Sequence, residues 1–120
     1  MNPAVPVRAD RKLITCVTHR PLGGLDLIRE LHRRGVNATA LWHARGSGIG
    51  DPPDHRGRIA SFEKEVLVAV VPASESEETF AFLYDAAGIG EPGGGLLFME
   101  TLDLATDFIL PPLAEENPAG

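Results

Sequence analysis

At 120 residues, 43% of them hydrophobic and 23% charged, the chain has the composition of one ordinary globular domain with a real core. A net charge of −6 and the lack of any basic stripe weigh against attraction to nucleic acid or anionic lipid. Cys16 is the only cysteine, which excludes an intramolecular disulfide and a cysteine-based zinc site. The first residues carry no apolar core of a signal peptide and no apolar run reaches membrane-spanning length, so a cytoplasmic protein is expected, with no direct membrane insertion.

Residues 1–11, with two prolines and few large apolar groups, read as a flexible arm. Lys12 to Thr18 is rich in β-branched residues and predicts a strand. Pro21 and Gly23-Gly24 punctuate the chain before a helix that places Leu25, Ile28 and Leu31 on one face and stops at Gly35. Asn37 to Ala44 predicts a second strand. Arg45 to Ser61 holds four glycines, two prolines and scattered charges without periodicity, the signature of a long functional or disordered loop. Glu63 to Val71 is the strongest strand, with Val66 to Val71 unbroken by polar residues. Ser74-Glu75-Ser76-Glu77 has the form of a capping box. The helix it would open sets Phe80, Leu83, Tyr84 and Ala87 on one face and ends at Gly88. Leu96 to Met99 predicts a fourth strand, and residues 111–120 a flexible tail.

The order β-α-β, long loop, β-α-β is that of an α+β, ferredoxin-like domain spanning 12–110, an antiparallel sheet with two helices on one face. The exposed face of such a sheet should alternate with polar residues. Here the third strand offers Val66, Val68 and Val70 to one side and Leu67, Ala69 and Val71 to the other, and the fourth is apolar on both sides too. Another subunit is expected to cover the second face.

Gly88 to Gly95 is the stretch with the most chemical promise, since Gly88, Gly90, Gly93, Gly94 and Gly95 crowd around Pro92. Successive N–H groups of such a loop can cradle an anion, phosphate above all; the alternative is a plain connector from helix to strand. Arg20, Arg45, Arg56 and Arg58 are the cations best placed to meet that anion, Arg45 foremost; otherwise each is a solvated surface arginine. His19, His32, His43 and His55 fall in no metal-ligand motif, and a site would need His43 and His55 brought together with Asp51 or Asp54. Trp42 reads as core or interface. No nucleophile elbow or Walker loop is legible, because the glycines lack the Lys-Ser/Thr of a P-loop, so the chain reads as a non-enzyme. Arg20-Pro-Leu-Gly-Gly24 faintly echoes the anion loop of an acylphosphatase, the enzyme alternative. RNA-recognition domains share the element order, but their central strands carry aromatic and basic residues, not aliphatic ones.

Several stretches together resemble the PII signal-transduction superfamily. They are Lys12-Leu-Ile-Thr, Arg20-Pro21 with Leu25 to Leu31, Arg45-Gly-Ser-Gly48, Val68 to Pro72, and Gly88 to Gly95 running into Leu96-Leu-Phe98. The resemblance, over residues 12–104, implies a homotrimer with effectors in the clefts between subunits. It makes residues 45–61 the T-loop, which docks on a partner protein, and residues 88–95 the B-loop. Arg45, Gly46, Ser47, Gly48 and Val70 join Gly88, Gly90, Gly93, Gly94 and Gly95 as the implied effector-binding residues. The implied ligand is an adenine nucleotide or a small anion such as bicarbonate, with no catalytic residue and no metal. The T-loop is shorter than in nitrogen-regulatory PII proteins and lacks their modified tyrosine; Tyr84 is the only tyrosine. Gly95 stands where a basic residue is expected, Asp103 to Phe108 lacks the paired arginines, and Ile49-Gly50 replaces the magnesium-supporting glutamine. These departures match the divergent PII-like proteins, whose genes often accompany inorganic-carbon or cation transporters, and such a transporter is the implied partner. A divalent-metal-binding trimer of the cation-tolerance type is the other reading of this fold.

Overall fold

The computed structural model describes residues 5–18, 23–46 and 62–112. Four strands, β1 (Arg11–Thr18), β2 (Thr39–Gly46), β3 (Phe62–Pro72) and β4 (Gly95–Leu102), form one sheet in the order β2-β3-β1-β4. Every neighbouring pair is antiparallel. Helices α1 (Gly24–Arg33) and α2 (Ala73–Ala86) alternate with them. This is the expected α+β, ferredoxin-like architecture. Strands β1, β3 and β4 run longer than predicted, β4 most of all, because ladder partners on β1 carry it past Met99 to Leu102, while β2 keeps its predicted length but lies two residues later.

Strand alternation decides the core. Ile14 and Cys16 of β1 pair with Ala69 and Leu67 of β3, and these residues, with Val71, are fully buried or nearly so beneath Leu27 and Leu31 of α1 and Leu83 of α2. Both helices therefore lie on one face. Leu25 is exposed and Leu27 takes its place inside, since Gly24 rather than Leu25 begins the helix turn that meets the sheet. Likewise α2 buries Ser76, Thr79 and Leu83, whereas Tyr84 points outward.

Helix ends follow backbone chemistry more than side-chain caps. Val36 N–H bonds to Leu31 C=O at 2.9 Å and Gly35 N–H to His32 C=O at 3.0 Å, with Gly35 at φ +87°, so α1 ends as the glycine foretold. At the end of α2, Ile89 N–H reaches Tyr84 C=O and Gly88 N–H reaches Asp85 C=O, with Gly88 at φ +67°. The capping box does not form. Helix α2 starts earlier, at Ala73 after Pro72, and Ser76 instead donates from Oγ to Ala73 C=O at 2.8 Å. Pro72 ends β3 and enters the helix directly, which leaves Ser74 already inside the first turn.

The helix-free face is apolar, as read from the sequence. Val66, Val68 and Val70 line its centre beside Leu13, Thr15 and Val17, while Trp42 on one edge and Leu96 and Phe98 on the other are exposed. Beyond β4, residues 103–112 are extended without regular structure apart from one bridge, Arg8 to Ala105. That bridge ties down part of the arm expected to be loose.

Candidate functional site

One end of the sheet gathers the groups that the sequence singled out. Thr18, the last residue of β1, sits between Gly95 of β4 and Glu65 of β3, and Glu65 in turn pairs with His43 of β2. Arg45 and Gly46 continue β2 beyond that row, opposite Glu63 and Phe62. The glycine loop 88–95 thus opens at one edge of the sheet and the 47–61 segment at the other. Three interstrand spacings, about 14 Å, separate the two edges. Within one chain, exposed Arg45 and the glycine loop do not meet. Val70 is five residues up β3 from Glu65, about 17 Å away at the far end of the sheet. Ser47, Gly48, Arg20, Arg56, Arg58, His19 and His55 lie outside the described residues.

The glycine loop is largely occupied with itself. Gly88 and Ile89 spend their N–H groups on the end of α2, Glu91 N–H bonds to Gly88 C=O at 3.2 Å, and Gly94 N–H bonds to Glu91 C=O at 2.9 Å. Gly94 is buried, and a Cβ there would collide with the Gly88 carbonyl, so this glycine serves the loop's own close packing. A Cβ on Gly95 would strike the carbonyl of Val17, where β4 begins its ladder with β1. Tyr84, expected in the core, lies with its hydroxyl over Gly90 and props the loop from the helix side. The N–H groups not used by these turns belong to Gly90 and Gly93, and Gly93, at φ +72°, has nothing near its Cα on the side-chain side. An anion held here would meet a short arc of backbone at Gly90–Gly93, not the whole loop.

A buried carboxylate that the sequence reading passed over organises the same end. Glu65, 4% exposed, accepts from Gly24 N–H at 3.2 Å, and its second oxygen lies 3.3 Å from His43 Nε2. One side chain thereby joins the start of α1, the edge strand β2 and strand β3 at the base of the 47–61 segment. A Cβ on Gly24 would sit 2.7 Å from Leu41 Cδ1 and 2.8 Å from Glu65 Oε2, so any larger residue there would push the ends of those two side chains aside. Acidic residues at a helix N-terminus are favoured by the free N–H groups there. The signal was present in parity: Glu65 shares its face with Leu67, Ala69 and Val71, and a lone acid in such a row needs a buried partner. Lys64, 6% exposed, stands beside it on the opposite face, next to Ala44.

A cavity of about 410 Å³ lies between the helices, lined by Thr18, Gly24, Leu27, Glu30, Phe82 and Ala87 among others. Among the described residues its charged walls are the side chains of Asp26 and Glu30. Among the described residues no three His, Cys, Asp or Glu gather around a common point. His32 instead pairs with Thr39 Oγ1 at 3.2 Å. Among them too, no helix is long and apolar enough to cross a membrane.

The β2-β3-β1-β4 arrangement of the sheet and its two helices has counterparts among solved structures. GlnK of Bacillus subtilis superposes with a TM-score of 0.58 at 24% identity, covering 77% of this chain and 84% of that one. In its ATP complex the TM-score is 0.61. PII of Arabidopsis thaliana bound to citrate gives 0.60 at 18% identity, over 80% of this chain and 78% of that one. CutA of Synechococcus elongatus gives 0.63 at 10% identity, over 84% and 86%. This is the fold of the PII and CutA proteins. No family model and no curated protein sequence matches the chain.

Proposed function

We propose that the chain is a PII-like regulator that senses a small anionic effector in clefts between copies of itself. The observation that carries this reading is the placement of Arg45 and the glycine loop at the same end of the sheet but on opposite edges. A ligand touching both has to bridge two chains, and the apolar helix-free face gives the chains a surface on which to meet. A trimer satisfies that geometry by closing on itself. In each cleft Gly90 and Gly93 of one chain offer backbone donors, while Arg45, at the base of the 47–61 segment, offers the fixed charge of the next.

The effector is an adenine nucleotide or a small anion such as bicarbonate, and support for an anion comes from the ATP and citrate held by the structurally similar GlnK and PII proteins. With few charged contacts on offer, mono- or diphosphate nucleotides fit better than ATP with magnesium, because each charged contact missing removes about 1.5–3 kcal/mol. The 47–61 segment then carries the signal to a protein partner, an inorganic-carbon or cation transporter. No catalytic role is assigned to any residue.

Titration calorimetry with AMP, ADP, ATP, cyclic AMP, bicarbonate and divalent cations tests the reading directly. The expected result is one nucleotide or anion bound per chain, with binding weakened tenfold or more in Arg45→Ala. If no anion binds the wild type at millimolar concentration, the effector role is wrong. Tight binding of a divalent cation alone would favour the metal-binding alternative, which rests on the likeness to CutA.

A further inference from the structure

We propose that Arg8 and Arg11 form an anion site at the end of the sheet opposite the glycine loop, filled here by the chain's own Asp107 and open to a small oxyanion, a phosphate or a carboxylate, that displaces it. The site stands apart from the effector reading above and does not depend on it. Two guanidinium groups converge on one carboxylate. Arg8 Nε donates to Asp107 Oδ2 at 3.0 Å, and Arg11 Nη2 donates to Oδ1 at 3.2 Å. Planar guanidinium N–H donors aimed at the separate oxygens of one anion are the means by which arginines recognise carboxylate and phosphate groups.

The cations are the fixed part of this clamp and the anion is the replaceable part. Arg11 opens the central strand β1, with Pro72 of β3 and Leu102 of β4 on either side, and its side chain is only 17% exposed. Its Nη1 donates to Asp10 Oδ1 at 2.7 Å, and the Asp10 carbonyl accepts from Ala73 N–H at the start of α2. Arg8 is set by its backbone, which exchanges two hydrogen bonds with Ala105, at 2.7 and 2.8 Å. Asp107 lies beyond the end of β4 in a stretch without regular structure, and its side chain is 46% exposed. A side-chain rotation, with no change in β1, takes it out of the clamp.

Exposed ion pairs contribute little in water, so an anion with several charged oxygens can compete with Asp107 for the two arginines. Once the carboxylate leaves, the two guanidinium groups repel each other and the emptied pair draws in another anion. Asp10 offsets the charge of Arg11 only, which leaves that of Arg8 unbalanced. Room for a ligand lies alongside. Arg11 and Asp107 both line a cavity of about 340 Å³, together with Asn37, Pro72, Glu75 and Thr106. The acidic Glu75 on this wall opposes a second anionic group inside the cavity. The site therefore favours a compact ligand whose negative charge is gathered in one group.

Titration of the full chain with inorganic phosphate, and separately with acetate, followed by NMR at fixed ionic strength, tests the site. Asp107→Asn keeps the shape of the side chain and removes the competing charge. The amides of Arg8 and Arg11 should then report phosphate binding about threefold to thirtyfold tighter than in the wild type, the worth of two exposed ion pairs. Adding Arg8→Gln to that variant should abolish the gain. The same pattern with acetate, stronger than with phosphate, would support the site and name its ligand a carboxylate. In the wild type, hydrogen bonding from Arg8, with the charges of both arginines, holds the Asp107 carboxyl below the ordinary carboxylate range, and saturating phosphate should let its titration rise toward that range. Affinity unchanged or lower in Asp107→Asn overturns the proposal, because the ion pair is then structural only. A gain that survives Arg8→Gln overturns it as well, since the anion then binds elsewhere. So does sodium chloride that moves the Asp107 titration as far as phosphate does, which is screening. Should Asp107→Asn lose its fold, the wild-type Asp107 titration decides alone. None of these results bears on Arg45, whose variant tests the effector reading.

Discussion

Glu65 is the residue on which the candidate site turns. Removing its carboxylate strands the Gly24 N–H inside the protein and leaves His43 without its buried partner. Glu65→Ala should cost about 1–3 kcal/mol in denaturant unfolding, the price of a buried donor left unsatisfied. Glu65→Gln keeps an acceptor for Gly24 and should cost clearly less; equal losses for the two would contradict the hydrogen-bond account. Cys16 gives a second test at this scale. Burial pushes its thiol up to about 11, so Ellman's reagent at pH 8 should leave the folded protein untouched and modify it only on unfolding. Cys16 was read from the sequence only as the sole cysteine, and its burial follows from its place on the inward face of β1. Glu65 was harder because its partners, Gly24 and His43, come from elements 41 and 22 residues away. No local pattern announces such a pair.

Among the elements, the glycine loop serves its own packing as well as the proposed binding role. Five glycines suggested a phosphate cradle, but Gly94 and Gly95 are required by carbonyls of the protein itself. Gly94→Ala should therefore disorder the loop and lower the melting temperature by several degrees even where no ligand is present. Gly93→Asn, at a φ that asparagine tolerates and with open space around it, should keep the fold and change only ligand affinity. Calorimetry and thermal melts on the two variants separate the loop's structural role from its binding role. The glycines that end α1 and α2 were legible because their positive φ is a purely local demand, whereas the start of α2 was set by the end of β3. The segment after β4 has its own signature in pH. Hydrogen bonding from Arg8, with the positive charges of Arg8 and Arg11, holds the Asp107 carboxyl below the ordinary carboxylate range. A depressed native pKa means the tether is intact above the unfolded value of about 3.9 and is lost as pH falls through the native one. Asp107→Asn should mimic that loss at neutral pH. Amide exchange at Arg8 and Ala105 would then quicken while the β1–β3 ladder keeps its protection; unchanged exchange at Ala105 would count against the tether.

For the molecule as a whole, the element order and the two-sided apolar strands were readable from alternation alone, and the sheet order followed from the fold they implied. What alternation could not supply was the position of the chemistry along the sheet. Val70 shares a strand with Glu65, yet antiparallel pairing sets it at the opposite end from the glycine loop. The helix-free face offers a direct test of assembly: Val68→Asp places a charge at its centre and should dissociate the oligomer, or unfold a chain that depends on it, by sedimentation and circular dichroism. A compact, well-folded wild-type monomer would rule the assembly out. The split of donors and charge between opposite edges of one sheet has a further consequence. On the proposed reading a lone chain owns two half-sites and no whole one, so ligand occupancy and subunit association are thermodynamically linked. Ligand should tighten the oligomer, and dilution below the oligomer's dissociation constant should weaken apparent ligand affinity with no change in any residue that touches the ligand. A regulator built this way reports its own abundance along with that of its effector.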